Sequence, residues 1–259
     1  SGPARRAAGG RGVRPGSARG ARGSAGGEGG SPPGGGCWFR SRAGPGGDWG
    51  WCRWSARVRA PPSAPIFTAP AGACDAHCHV FGPHEIFPYH PKSTYHPPDG
   101  PKEKLAELHA KLGIERAVIV QASCHGPDNR AMMDAIASSP DKYRGVCIAN
   151  DSFSDEEFAD LDAGGVCGIR FNFVTHLGGT PDLDMMKRVL IRIKPLGWHL
   201  VIHVNAEDIV QFEEFFLQFD MDIIVDHMGR VPTSNGVHQE AFQILKRFLQ
   251  RENWWVKIC

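Results

Sequence analysis

The stretch that decides the fold runs from residue 165 to residue 204. Residues 165–172 have the sequence GVCGIRFN and residues 198–204 have the sequence WHLVIHV; both are short, apolar and typical of buried strands. Between them, residues 182–194 follow a helical pattern that ends near Pro195. A strand, a helix and a second strand in this order predict one β-α-β unit with parallel strands.

The same alternation continues on both sides of this unit. Further strands are predicted at 74–80, 115–122, 143–149, 222–226 and 254–258, with helices at 102–112, 129–138, 154–163, 207–218 and 237–251. Strictly alternating strands and helices predict a parallel sheet covered by helices, either doubly wound or closed into a barrel. No GxGxxG motif follows a strand, which disfavours a dinucleotide-binding sheet.

The length limits how much of a barrel is present. An eight-stranded barrel needs roughly 250 residues, whereas 186 residues run from Cys74 to the end. We therefore expect an α/β fold, a (β/α)8 TIM-type barrel within residues 66–259 that is truncated after strand 7.

Residues 1–65 differ in composition from the remainder. They hold 18 glycines, 11 arginines, no lysine and two acidic residues, whereas the rest holds 18 basic and 26 acidic residues. A segment of this kind buries too little apolar surface to offset its ordering entropy, which predicts a disordered Gly/Arg-rich tail. A leader without function is the favoured interpretation, and an organelle transit peptide is the first alternative. A nucleic-acid-binding arm is least favoured, because its aromatic residues cluster only at the end.

Composition also bears on the compartment. No apolar run reaches the roughly 18 residues of a membrane span, and we find no signal-peptide pattern. The eight cysteines are scattered and form no CxxC pair. We therefore expect reduced thiols in a cytoplasmic protein.

Four histidines fall at the carboxyl ends of predicted strands, where barrel enzymes place their chemistry. His77 and His79 occupy positions i and i+2 of the first strand, so both side chains point to one face. His203 ends the fifth strand, and His227 follows the sixth. A lone histidine at a strand end is more often structural, but four in register predict a shared active site.

Two arginines occur at the same end of the sheet. Arg170 lies near the end of the fourth strand, and Arg230 follows the sixth. Because a guanidinium binds a carboxylate through two parallel hydrogen bonds, we expect both to bind an acidic substrate. A structural salt bridge is the alternative for each. Tyr95 and Ser123 are second-rank candidates for substrate contacts.

These motifs resemble the amidohydrolase superfamily, whose signature is HxH on strand 1, His on strands 5 and 6, and Asp on strand 8. His77, His79, His203 and His227 match the first four positions, and the strand 8 Asp would lie beyond the chain.

A narrower resemblance is to the lactonases that open 2-pyrone-4,6-dicarboxylate. It rests on DAHCHVFGP at 75–83, GIRFN at 168–172 and DHMGR at 226–230. It implies a small acidic lactone as substrate and water attack on the ester carbonyl. It also implies that metal is not required, the four histidines then donating hydrogen bonds to the developing oxyanion.

Three alternatives remain open. The first is a zinc-dependent amidohydrolase or decarboxylase of the same superfamily, with one divalent metal held by His77, His79 and His203. A binuclear site is disfavoured, because Arg170 stands where two-metal members carry Lys or Glu and cannot bridge two cations. The second is a non-catalytic, truncated relic. The third keeps the lactonase but expects this chain to bind without turnover, with Asp226 as the substitute base to examine.

Overall fold

The computed structural model describes residues 65–258. The chain divides into one unit of Ser1–Trp54 and another of Ser55–Cys259, and the described residues belong to the second. The predicted tail therefore lies outside the described residues, apart from Pro65. Within the described range, no helix has the length and apolar character needed to cross a bilayer.

Seven strands form one sheet, and each strand pairs in parallel with the next along the chain. They are β1 (Cys74–Cys78), β2 (Arg116–Val120), β3 (Tyr143–Cys147), β4 (Val166–Asn172), β5 (His199–His203), β6 (Ile223–Val225) and β7 (Trp254–Val256). Sequential parallel pairing with helical crossovers is the arrangement of a (β/α) barrel. The predicted TIM-type fold is confirmed, with seven of its strands within residues 65–258.

The helices follow the predicted order with one difference. They are α1 (Lys102–Leu112), α2 (Arg130–Ser138), α3 (Asp155–Ala163), α4 (Leu183–Ile193), α5 (Ala206–Gln211), α6 (Glu213–Phe216) and α7 (Glu240–Phe248). The prediction of a single helix at 207–218 is wrong, because the helix is interrupted at Phe212, whose φ is −112°. The Phe212 ring packs instead against Phe173 and Phe216, with centroids 5.4 and 6.2 Å away.

Local signals fix two helix ends as the sequence predicts. Gly113 ends α1 in the left-handed conformation, with φ 71°, where a side chain would be strained. Ser154 begins α3 with a capping box: its Oγ accepts from Glu157 N at 3.1 Å, and the Glu157 carboxylate accepts from Ser154 N at 2.7 Å.

The two faces of the sheet have different contents. Ile119, Leu200 and Ile202 belong to the large core beneath the helices. The alternate positions Val120 and Val201 belong to a smaller cluster. Because successive side chains of a strand point to opposite faces, this smaller cluster marks the barrel interior. Polar residues that continue its register therefore point into the barrel.

Candidate active site

Strand register brings the predicted site residues to the interior face. Arg170 pairs with Val201, and Asn172 pairs with His203, between β4 and β5. His203 lies two residues after Val201, so it shares that residue's face. Arg170 and His203 are buried, with 4% of each residue exposed. The sheet thus holds these side chains at its carboxyl end independently of the loops.

The four strand-end histidines form one continuous cluster. The His77 ring centroid lies 4.9 Å from those of both His79 and His227. The His203 centroid lies 5.1 Å from that of His227. The structure therefore brings together all four histidines that the sequence singled out.

A buried carboxylate lies beneath this cluster. Asp226 is fully buried, and its Oδ2 lies 2.8 Å from Arg170 Nε. Its Oδ1 lies 3.3 Å from both His77 Nδ1 and Lys257 Nζ. Burial raises the pKa of Asp226, but contact with His77 and the charges of Arg170 and Lys257 outweigh it and hold that pKa below its usual range. Asp226 is therefore an ionised carboxylate held between the cations of Arg170 and Lys257.

The hydrogen bonds of two histidines determine which ring nitrogen carries the proton. His79 Nδ1 lies 2.7 Å from the Val120 carbonyl oxygen, which can only accept. His203 Nδ1 donates to Asn172 Oδ1 at 2.9 Å. In the neutral ring, each of these histidines then carries a lone pair at Nε2.

Both of these rings are neutral at physiological pH. Burial, followed by the charge of His77, lowers the pKa of His79 to about 4. Burial, followed by the charge of Arg170, lowers the pKa of His203 to about 3. Burial also lowers the pKa of His227. His79 and His203 therefore offer lone pairs and N–H groups rather than positive charge.

A strained turn places His227. After β6 the chain runs through four successive left-handed residues: His227, Met228, Gly229 and Arg230, with φ of 52°, 53°, 62° and 49°. A non-glycine residue in this region costs on the order of 1–3 kcal/mol and persists where the surroundings enforce it. Such strain is concentrated at active sites and ligand clamps.

The remaining candidates lie around the cluster. Arg230 is exposed, forms no ion pair within residues 65–258, and its charge contributes to lowering the pKa of His203. The Tyr95 hydroxyl accepts a hydrogen bond from Cys124 N at 3.2 Å. Ser123 Oγ accepts from Asn172 Nδ2 at 3.4 Å. Ser123 is thus linked to His203 through Asn172.

Comparison with known proteins identifies the family. The family model described as amidohydrolase matches residues 74–259. This chain belongs to the amidohydrolase family. The amidohydrolase resembles the 2-pyrone-4,6-dicarboxylate hydrolase of Comamonas testosteroni, with 45% identity over 210 residues that cover 81% of this chain and 68% of the relative.

Two further comparisons extend this. A 4-sulfomuconolactone hydrolase of Rhizobium radiobacter is 37% identical over 198 residues, covering 76% of the amidohydrolase and 66% of the relative. Among solved structures, a probable 2-pyrone-4,6-dicarboxylic acid hydrolase of Acinetobacter baumannii, determined with citric acid bound, superposes with a TM-score of 0.64 and 25% identity. That match covers 72% of this chain and 70% of the other. The amidohydrolase spans about two thirds of each relative, and its resemblance to the superfamily is confirmed.

Many amidohydrolases hold a divalent metal, so the donor set was compared with what such an ion needs. His77, Asp226 and His227 each offer one ligand atom, and these atoms lie within 4.8 Å of one another. However, Arg170 and Lys257 already lie 2.8 and 3.3 Å from the Asp226 oxygens. A divalent ion on this carboxylate would be repelled by both cations. The residues present do not fit a metal at this group.

Lys257 is the residue of this amidohydrolase that sequence reasoning missed. It directly follows β7, at the same end of the sheet as His203, and its side chain is 11% exposed. It falls inside the predicted strand 254–258. A polar residue at the carboxyl end of an apolar strand is the signal that would have found it, as it did for the histidines.

A second group around His109 is structural. His109 Nε2 lies 3.4 Å from Asp75 Oδ2, and its Nδ1 lies 3.3 Å from the Tyr143 hydroxyl. Cys78 adds a ligand atom within 4.8 Å of those of Asp75 and His109. Both ring nitrogens of His109 have partners that tie α1 to β1 and β3. These contacts help to hold α1 against the sheet.

Proposed function

We propose that this amidohydrolase is the greater part of a hydrolase that opens an acidic cyclic ester, with 2-pyrone-4,6-dicarboxylate as the model substrate. The observation that carries the proposal is the cluster of four histidines at the carboxyl end of the sheet, two of which, His79 and His203, are neutral, with Arg170 and Arg230 close enough for their charges to lower the pKa of His203. Neutral imidazoles suit the polarisation of an ester carbonyl, and guanidinium groups suit ring carboxylates.

The substrate class is supported by the relatives and by charge. Two of the relatives are named for hydrolysis of a pyrone dicarboxylate and of a sulfonated muconolactone, both acidic lactones. A third was determined with citric acid, a tricarboxylate. Arg230, exposed and without an ion pair among the described residues, is the group we assign to a substrate carboxylate. Arg170 is assigned a second carboxylate through the nitrogens that do not face Asp226.

The site residues divide the chemistry as follows. His79 and His203 can accept hydrogen bonds at Nε2 and would orient the attacking water, since their lowered pKa values make them weak proton acceptors. His77 and His227 would face the carbonyl oxygen. Tyr95, whose pKa burial raises to about 12, stays protonated and can donate to the substrate.

We propose that this reaction proceeds without a bound metal, because Asp226 is paired with Arg170 and Lys257. The alternative, a zinc-dependent amidohydrolase or decarboxylase, is favoured by one observation: His77, Asp226 and His227 can reach a common point. A cytoplasmic location is also proposed, since the five cysteines of the described range are free thiols.

The test is a binding and turnover series. Affinity for 2-pyrone-4,6-dicarboxylate, for its dimethyl ester and for unsubstituted 2-pyrone is measured on the 259-residue chain. Ring opening is followed by loss of pyrone absorbance, on this chain and on a chimera extended with the matching C-terminal third of the Comamonas relative. We expect the 259-residue chain to bind the pyrone only when the ring carries its carboxylates. We expect the chimera to turn over the substrate in the presence of chelators. Equal affinity for the uncharged ring, or activity that requires stoichiometric zinc, would contradict the proposal.

A further inference from the structure

Lys257 lies between two groups of the site. Its Nζ is 3.3 Å from His77 Nδ1 and 3.3 Å from Asp226 Oδ1. The side chain is largely buried, with 11% exposed. An ammonium group in this position contacts a histidine and its neighbouring carboxylate simultaneously.

The contact with His77 has a chemical consequence. A lysine ammonium has three donors and no acceptor, so a hydrogen bond to His77 Nδ1 requires a lone pair on that nitrogen. In a neutral ring the proton then resides on Nε2. His77 is therefore the opposite tautomer of His79 and His203, whose Nδ1 atoms donate to Val120 O and Asn172 Oδ1.

Asp226 competes for the same nitrogen. Its Oδ1 lies 3.3 Å from His77 Nδ1, and a carboxylate would require a proton there. However, within residues 65–258 the 3.3 Å contacts of Asp226 Oδ1 with His77 and Lys257 are ion-pair distances outside strict hydrogen-bond geometry, whereas the contact between Lys257 Nζ and His77 Nδ1 satisfies that geometry. The charge of Asp226 is balanced by Arg170 and Lys257. Lys257 thus both neutralises the competing acceptor and supplies the donor.

The other nitrogen of His77 points to a use for this tautomer. Nε2 is buried and has no partner among the described residues. A buried N–H without an acceptor is costly unless a ligand supplies one. We propose that Lys257 is a positioning residue that holds His77 as the Nε2–H tautomer, so that His77 donates a hydrogen bond to the lactone carbonyl oxygen. That bond strengthens as water adds to the carbonyl and negative charge develops on the oxygen.

The role in catalysis rests on the proposed function, whereas the tautomer itself can be read without substrate. The experiment records ¹⁵N–¹H multiple-bond spectra of the ¹⁵N-histidine-labelled 259-residue chain at pH 7, with His77→Gln to assign the His77 signals. Variants are Lys257→Met, which cannot donate, and Lys257→Arg, which can. Lys194→Met removes a lysine from an exposed ion pair with Asp220 and serves as the matched control.

We expect Nε2–H at His77 in the parent, in Lys257→Arg and in the Lys194→Met control. Lys257→Met should switch His77 to Nδ1–H, donated to Asp226. Nδ1–H in the parent, or Nε2–H in folded Lys257→Met, would overturn the proposal. If Lys257→Met fails to fold, the parent spectrum and Lys257→Arg still decide it.

Turnover by the extended chimera separates the two proposals. Lys257→Met should lower kcat by up to the 10²–10³-fold known for loss of one oxyanion donor, with little change in KM, and Lys257→Arg should restore most of it. If the spectra show the expected tautomers but the pyrone does not bind, the proposed function is contradicted and the tautomer held by Lys257 still stands. If the chimera hydrolyses the pyrone but Lys257→Met leaves kcat unchanged, the proposed function stands and the role of Lys257 in catalysis is contradicted.

Discussion

Arg170 Nε and Asp226 Oδ2 lie 2.8 Å apart, and the side chains on either side of this contact are 4% and 0% exposed. The two residues come from different strand ends, β4 and the turn after β6. An ion pair this deeply buried gains from its geometry but loses the hydration of both charges. Removing one partner therefore leaves the other charge buried and uncompensated.

Asp226→Asn tests this directly. The change keeps the shape but removes the charge that Arg170 and Lys257 face, so we expect a loss of about 3–5 kcal/mol in unfolding free energy. Denaturant unfolding measures it. Asp220→Asn, in an exposed ion pair with Lys194, is the control and should leave the midpoint unchanged. Equal stability of the two variants would mean that Asp226 is not ionised in the folded chain.

Arg230→Ala should separate binding from folding. Arg230 is exposed and has no ion pair within the described range, so its loss should not lower stability. A charge-assisted hydrogen bond is worth roughly 1.5–3 kcal/mol, so affinity for the pyrone dicarboxylate should fall about 10- to 150-fold. Titration calorimetry measures the affinity of the parent and of Arg230→Ala. Arg188→Ala, which loses an exposed ion pair with Asp151, is the control. Unchanged affinity removes Arg230 from the site.

Arg170→Lys should also weaken substrate binding, although the positive charge at this position is kept. Lysine cannot reproduce the planar fork of donors that can hold Asp226 and a substrate carboxylate together. We expect both the unfolding free energy and the affinity to decrease, whereas Arg188→Lys, in an exposed pair with Asp151, should change neither. Retention of parent affinity by Arg170→Lys would show that only its charge matters.

The buried neutral histidines predict the pH dependence of stability. The pKa of His79 falls from 6.5 to about 4 and that of His203 to about 3 on folding, so protonation favours the unfolded chain. The stability they contribute is complete above about pH 6.5 and is lost as the pH falls toward the folded values. Chemical unfolding at stepwise pH from 7.5 to about 4.5 measures this slope.

A double variant, His79→Asn with His203→Asn, should reduce that slope, while other histidines with a lowered pKa, such as His227, retain their share. His238→Asn, in an exposed loop, is the control and should retain it. A parent slope that persists in the double variant would assign the dependence to other groups.

The sequence predicted the strands and the histidine cluster because both follow from periodicity. His203 and Val201 share a face through the two-residue period of a strand, which needs no knowledge of packing. The break at Phe212 could not be predicted in this way. Seven of the eleven residues from 209 to 219 are apolar and none is Gly or Pro, so one continuous helix fits the pattern equally well.

The ion pairs of Asp226 with Arg170 and Lys257 also could not be predicted from the sequence. Arg170, Asp226 and Lys257 are separated by 31 or more residues, and their contact depends on which side-chain rotamers fit the barrel interior. A strand-end rule places each of them at the same edge of the sheet. It does not state whether an arginine there meets a substrate carboxylate or a carboxylate of the protein.

The depth of the Asp226 contacts has a consequence for how this enzyme can change its substrate range. Substitutions at Arg170, Asp226 or Lys257 are expected to alter the proposed site and the folded state together, so selection for a new lactone would be constrained there. Arg230 lies at the exposed rim, outside that ion-pair network. Related enzymes that accept differently charged or shaped lactones are therefore expected to diverge at the rim and in its loops, while the buried charges stay the same.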